Sequence, residues 1–571
     1  MEKKSKETHS FFKSVVVFII CIGMILTFVW VSLLQFHMPE VVSKEEKKND
    51  FSAERAMEYV KQIAEKPHPV GSKGHDEVKD YIFSALENIG VSPKIQKEEG
   101  EFYAWGGPYK GKIENIVAKI PGVDSSKAIM LTAHYDSEGE SLGASDDGSG
   151  VAAIIETVRI IKQEKKLKND LIILISDGEE KGLLGAQQFV QKYPWAKDVG
   201  LVLNFEARGN SGPSVLFETN EGNERVISEF AKSAPNPVAH SFLYSLYKIM
   251  PHDTDLTVYK KSGMYGMNFG FFEGLNSYHT AEDTVENLSL ESLQHQGDYM
   301  LHLVKHLGSM ELVAKEDNDK IFFNILGHKI ITYSDSLVIP FLLLAIMLFG
   351  LTCMHGYKKK KLSVTGTSVG FLIFLGVAGM SYFLGDGIWN LLSIVSSGSL
   401  WSYETNLKIS NPMFVGLIFL LIALISLIYS LISKKINAYN LSMGAFVCWL
   451  IIAVISSIWL KETSYIFVWP LIFGLVGLNI SMRMKKEQMI WRHVIETIFS
   501  MPAILIAVPA IFLIYVLITM SELKILLVSV SLVGAYLIPI FCSLKLKFKP
   551  VLPGILFVIG LCLLFSIKLL N

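Results

Sequence analysis

Five short segments of this chain place His, Asp and Glu where they could converge on metal ions. His134 and Asp136 follow an apolar run at 127–133, and Asp146 and Asp147 sit in a glycine-rich stretch at 143–150. Glu179 and Glu180 follow a second apolar run, Glu206 closes a third, and Tyr278 precedes His279. Neutral imidazole and carboxylate are the ligands a hydrolytic zinc site uses when no thiolate is at hand. Two ions about 3.5–4 Å apart need one shared carboxylate, plus a His and an acid each. His134 with Glu206 meets that need for one ion and Glu180 with His279 for the other, with Asp146 bridging. A further carboxylate must take the proton of the activated water, and Glu179, next to a ligand, is placed to be this general base. Asp136 is expected to accept the free ring proton of His134 and fix its tautomer.

Each segment has a plainer reading when taken alone. A His-x-Asp after a strand is usually a loop feature, and an adjacent Glu pair is usually a solvated helix start favoured by the helix dipole. Asp146-Asp147-Gly-Ser-Gly could be a turn with an N-cap, and Tyr278 a core aromatic with a satisfied hydroxyl. All five occur in a sensible order, several at strand ends, with no ligand missing. That coincidence favours the metal reading.

The residues need a scaffold, and the flanking pattern supplies one. Residues 53–64 and 75–89 read as helices, while 127–133, 170–175 and 201–205 read as buried strands. Between the first two strands, Val151, Ile154, Ile155, Val158 and Ile161 recur at helical spacing. Strand, helix, strand, helix, strand predicts an α/β domain with a mainly parallel sheet. Ligand groups collect at the carboxyl ends of such strands, where these His and acidic residues lie.

The series HYD, GASDDGSG, DGEEKGLLG, NFEARG and YHTAEDT resembles the co-catalytic zinc peptidase family, which includes bacterial leucyl aminopeptidases and glutamate carboxypeptidase. PVGS at 69–72 and ENIVAKIPG at 114–122 are lesser marks of the same resemblance, which spans about 51–312. With several apolar spans after the domain, the chain looks like the membrane branch containing endoplasmic reticulum metallopeptidase and the fungal vacuolar membrane protease. In that branch, as at Glu206, the fourth ligand is Glu. The resemblance implies a phosphorylase/hydrolase-like α/β fold, two zinc ions, and a peptide as substrate. It also implies a cis bond between Asp146 and Asp147 and a role for Tyr278 in stabilising the oxyanion. PHDTD at 251–255 matches a substrate-side loop of the branch.

The chain has 571 residues, 50% of them hydrophobic, and that excess is unevenly spread. A basic tail at 1–14 leads into an apolar run at 15–36, read as a retained signal anchor with its N-terminus in the cytoplasm. A charged linker at 37–50, the peptidase-like domain at 51–312 and a linker at 313–335 follow. Residues 336–571 then hold about eight apolar spans. Basic clusters at 358–361, 434–435, 483–486 and 545–549 fall at alternate connections. The positive-inside rule puts them in the cytoplasm and 51–312 outside it. All five cysteines lie in apolar runs. The metal-binding domain has none, which leans towards a bacterial surface, with an endoplasmic reticulum or vacuolar lumen as the alternative. A net charge of -1 gives no reason to expect nucleic acid as a partner. The expected partners are a peptide and the lipid bilayer, and nothing in the sequence sets an oligomeric state.

Hydrolysis of peptides, with aminopeptidase action foremost, is the expected activity. A silent receptor would have lost ligands or the base, and none is missing. A transporter would carry ionisable groups inside its spans, and few are present: Glu496 and Lys568 lie near span ends.

Overall fold

The computed structural model describes residues 2–46, 48–125, 127–250, 252–312, 318–395, 400–485, 488–543 and 551–570. Pro251, Lys486 and the basic run at 545–549 lie outside them. The chain divides into two compact units. One is Gln35–Asn324 with His328–Ser334, and the other is Met1–Leu34, Ile325–Gly327 and Asp335–Asn571.

The first unit is built on seven strands: β1 (Lys94–Ala104), β2 (Gly107–Ile120), β3 (Ala128–His134), β4 (Asp170–Ser176), β5 (Val199–Ala207), β6 (Val215–Thr219) and β7 (Gly266–Phe271). Their order is β1-β2-β4-β3-β5-β7-β6. The expected parallel arrangement holds for β4, β3, β5 and β7, while β1, β2 and β6 join antiparallel at the flanks. The expected strands and helices are all present; the three strands and the helices expected at 53–64 and 75–89 end within two residues of their expected ends, and Val151 to Ile161 lie in helix Gly148–Ile161.

Alternation along the central strands creates the layers. Ile129, Leu131 and Ala133 of β3, with Leu171, Ile173 and Ile175 of β4, pack to one side in the main core. Met130, Ile172 and Leu174 turn to the other side, against Phe189 and Tyr259. Helices Gly148–Ile161 and Leu290–Gly308 cover the first face; Leu184–Lys192 and Asp255–Lys261 cover the second. Strands clothed on both faces read as unbroken apolar runs, which is why β3 and β4 were visible in the sequence. His134 and Ser176 close their carboxyl ends.

The described parts of both expected linkers are tied down. In 37–50, the Val42 N–H donates to Gln294 Oε1 at 3.1 Å, and Arg55 donates to the carbonyls of Lys44, Glu46 and Asp50. Within 313–335, strands Lys320–Ile325 and Lys329–Ser334 (β8 and β9) form a two-stranded sheet. The apolar run Ile321-Phe322-Phe323 explains this, because all three side chains are buried in the unit.

The second unit is helical, and among the described residues eight helical segments of the chain are long and apolar enough to cross a membrane. They are Val16–Phe36, Asp335–Lys358, Val364–Val395, Leu407–Ile432, Ala438–Trp459, Lys461–Arg483, Trp491–Ile518 and Met520–Cys542. The last expected span corresponds to the shorter apolar stretch Val551–Ile567. Met520–Cys542 is not one continuous α-helix, since residues Gly534–Leu537 tighten into a 3-10 turn.

Candidate metal centre

The carboxyl ends of β3, β4 and β5 bring the expected residues together. His134 is the last residue of β3, Glu179 and Glu180 lie in the loop after β4, and Glu206 is near the end of β5. Asp146 precedes the helix capped by Asp147, whose side chain accepts from the Gly150 N–H. The Asp146–Asp147 bond is cis. His279 follows Tyr278 in a loop and adopts φ 57, an uncommon value for a non-glycine residue.

Asp146 divides its carboxylate between two groups. Oδ1 lies 3.1 Å from His134 Nε2, which is 3.8 Å from Glu206 Oε2. Oδ2 lies 3.3 Å from His279 Nε2, which is 3.1 Å from Glu180 Oε1. In each group one ligand atom per residue falls within 4.8 Å of the others. Glu180 Oε1 is buried with the His279 ring nitrogen as its near neighbour, in a contact too poorly aligned for a hydrogen bond, so a cation can take both. These donors, acids and imidazoles without thiolate, fit divalent zinc.

Electrostatics point the same way. Burial, then the charge of Asp146, pushes the Glu180 carboxyl up to about 7. Burial, reinforced by Asp146 and Asp255 and opposed by His134, pushes Glu206 up to about 8. Burial also raises Glu179 well above the usual carboxyl range, with Glu206 and Glu180 adding and His134 opposing. Packed carboxylates that repel one another are the surroundings in which a divalent cation is favoured. Burial, then Asp146 and Glu180, holds the Tyr278 hydroxyl protonated far above its usual range.

Asp136 sits differently from expectation. His134 Nδ1 meets its backbone carbonyl at 2.9 Å, while its nearer carboxylate oxygen is 3.6 Å away. The carboxylate instead accepts the N–H of Glu179 at 3.0 Å and of Glu180 at 3.2 Å. The short His-Tyr-Asp turn lets the main chain reach the ring first, which leaves the side chain to fix the Glu pair.

Other orienting groups carried no role in the sequence reading. Asp283, within the YHTAEDT segment, accepts the N–H of Ser145 at 2.8 Å and of Asp146 at 3.1 Å. Asn204, within NFEARG, donates to Glu206 Oε1 at 2.9 Å. The two lesser marks meet at Asp177. Ser72 caps helix Lys73–Asn88, and His75 Nε2 contacts Asp177 Oδ1 at 2.7 Å. The Glu114 N–H donates to Asp177 Oδ2 at 2.7 Å, and Asn115 Oδ1 accepts from the Asp177 N–H at 3.0 Å.

A cavity of about 410 Å³ opens onto the centre. Phe217, Tyr247 and Phe272 form an aromatic wall, and Arg208, His252 and Trp105 also line it. The Arg208 guanidinium stands 6.0 Å from the Tyr278 ring centre. Trp105, in the turn between β1 and β2, donates its N–H to the Lys181 carbonyl at 2.8 Å. Gly182 has φ +125, and a Cβ there would stand 3.0 Å from that nitrogen, so glycine lets the hairpin dock on the ligand loop.

Residues 115–304 match the family model of peptidase family M28. The vacuolar membrane protease of Candida dubliniensis is 30% identical over 334 residues, covering 55% of this chain and 35% of that protein. Endoplasmic reticulum metallopeptidase 1 of Mus musculus is 28% identical over 307 residues, covering 50% of this chain and 34% of that one. The chain thus spans about a third of the length of the curated relatives it matches. Among solved structures, the aminopeptidase of Aneurinibacillus sp. strain AM-1 aligns with a TM-score of 0.39 and 14% identity, covering 47% of this chain and 97% of that one.

Proposed function

We propose, from a domain that matches peptidase family M28 and shares one carboxylate between two ligand groups, that this chain is a membrane-embedded zinc peptidase acting as an aminopeptidase. The observation that carries the reading is the division of Asp146, with one oxygen towards His134 and Glu206 and the other towards His279 and Glu180. Each ion of a zinc pair would be held by one of these groups. Zinc, when bound, polarises both the attacking water and the scissile carbonyl. Glu179 takes the proton from the water and delivers it to the leaving amine. The Tyr278 hydroxyl donates to the carbonyl oxygen as negative charge develops there. Asp136 keeps Glu179 and Glu180 aimed by holding their backbone N–H groups.

A carboxylate-rich floor attracts the ammonium of a free peptide N-terminus. The aromatic wall beside it suits an apolar side chain of the terminal residue. Arg208, also facing the cavity, favours a second reading in which a C-terminal carboxylate is recognised. One peptide assayed with its N-terminus free, acetylated, or with its C-terminus amidated separates the two. Loss of cleavage on acetylation alone is expected; loss on amidation alone replaces the aminopeptidase with a carboxypeptidase. Metal analysis of the purified chain should find close to two zinc ions per molecule, and trace zinc after reconstitution removes the enzyme reading.

The alternation of basic connections supports placing the domain on the non-cytoplasmic side of the membrane. The lean towards a bacterial surface has no support among the curated relatives, whose names refer to vacuolar and endoplasmic reticulum membranes. An organellar lumen is therefore the compartment we favour.

A further inference from the structure

At one end of the membrane unit, two cations lie against the same tyrosine ring. The Lys361 ammonium is 5.5 Å from the centre of the Tyr439 ring, and the Arg492 guanidinium is 5.8 Å from it. Three separate segments contribute. Lys361 lies in the turn between helices Val338–Lys358 and Val364–Val395, Tyr439 in the first turn of Ala438–Trp459, and Arg492 in the first turn of Met489–Ile518. The arrangement is anchored by its surroundings. Lys361 Nζ donates to the Met482 carbonyl, and Asn437 Nδ2 donates to the Lys361 carbonyl at 3.1 Å. The Tyr439 hydroxyl donates to the Ser481 carbonyl at 3.2 Å, and Arg492 Nη1 reaches that hydroxyl at 3.5 Å.

Balancing negative charge is largely engaged elsewhere. Glu496, one turn beyond Arg492, accepts the Ser481 hydroxyl and meets His493 Nδ1 at 3.1 Å. Arg492 Nε comes no closer to it than 3.9 Å and is buried without a hydrogen-bond partner among the described residues. Burial, then the charges of Arg492 and Lys359, holds the Lys361 ammonium below the usual lysine range. Helices Val364–Val395, Ala438–Trp459 and Met489–Ile518 all begin here, so their positive dipole ends add to the field. The positive-inside rule explains basic residues at such an end. It does not explain two of them meeting on one ring with a buried donor unfilled.

We propose that Lys361, Tyr439 and Arg492 form a binding site for the phosphate of an anionic phospholipid headgroup. The guanidinium offers phosphate a planar fork, the ammonium a point charge, and the ring a fixed platform for both. Helix ends are the level at which headgroups stand, and basic pockets between spans are where anionic ones bind.

The test is a binding titration of the full-length chain in detergent with phosphatidic acid, phosphatidylcholine and water-soluble glycerol 3-phosphate. Saturable binding of phosphatidic acid, with none of phosphatidylcholine and weak competition by glycerol 3-phosphate, is expected. Glycerol 3-phosphate binding as tightly as the lipid overturns the lipid assignment. Lys361→Gln and Arg492→Gln should each weaken phosphatidic acid binding about fivefold or more, the worth of one cation beside an anionic headgroup. Lys434→Gln, at an exposed cation in the neighbouring turn, should leave it within about twofold. Equal weakening by Lys434→Gln, or none in the two site variants, overturns the proposal. Should Arg492→Gln fail to fold, Arg492→Lys keeps the charge and loses the fork, and unchanged binding in that variant is equally fatal.

Discussion

Asp283 holds the backbone of Ser145 and Asp146, and through it the carboxylate shared by the two ligand groups. Asp283→Asn keeps the shape but replaces an acceptor oxygen with a donor that faces an N–H. Zinc affinity, read by competition with a chelator, is expected to fall about 10–100-fold, the usual cost of losing an orienting partner. Glu179→Gln should instead retain zinc while turnover falls by at least ~10²-fold, because the shape is kept and the basic oxygen lost. Near-normal turnover would assign the proton transfer to another group. For Tyr278→Phe, kcat should drop about 10²-fold with KM little changed, since the hydroxyl acts on charge that develops only in the transition state. A rise in KM alone would make Tyr278 a binding residue. The ligand types were legible in the sequence because His134, Glu180 and Glu206 sit at or just beyond the ends of apolar strands and none has a cysteine competitor. The true partners of Asp136, Asn204 and Asp283 were not, because they depend on which backbone groups the folded loops present to them.

Helix Leu290–Gly308 is the element that holds the unit's own first residues in place. Gln294 accepts the N–H of Val42 and Ala53 and donates to the Phe51 carbonyl. Gly297 sits under the fully buried Phe51 ring, and an added Cβ would collide with it. Alanine gains up to about 1 kcal/mol in helix propensity, but overpacking costs about 1–3 kcal/mol. Gly297→Ala should therefore lower the Tm, and a raised Tm would mean that Phe51 moves aside freely. At the next residue, burial, with Asp50 adding and Gln294 opposing, pushes the Asp298 carboxyl up to about 7. An unfolded aspartate titrates near ~3.9, so the folded state binds the extra proton between these values and stability falls as pH rises through that window. Asp298→Asn removes this penalty, and its Tm advantage should be absent at about pH 4 and full at about pH 8. An advantage independent of pH would place the effect in packing. The central strands were readable because they are apolar throughout. The hairpin β1–β2 was not, since Lys94–Ala104 is mostly exposed and reads KIQKEEGEFYA, a sequence without an apolar run. Trp105, at its turn, thus had no visible connection to the cavity it lines.

Across the whole chain, the placement of the domain is testable by protease accessibility. Treatment of sealed, right-side-out organelles should spare the domain and clip a tag inserted after Lys361; permeabilisation should expose both. Domain loss without permeabilisation would reverse the proposed orientation. The apolar spans were legible from composition alone, because a helix that crosses lipid must satisfy its own backbone and present apolar side chains. Their packing was not, and neither was the meeting of Lys361 and Arg492 on one ring, which joins turns far apart in sequence. Cys21, Cys353, Cys448, Cys542 and Cys562 all fall in the membrane unit. The unit carrying the candidate metal ligands thus has no thiol for an oxidant, a reductant or an isomerase to act on. Its folding can neither be hastened by oxidative machinery nor trapped in a wrong pairing, so passage between compartments of different redox potential leaves its covalent framework unchanged.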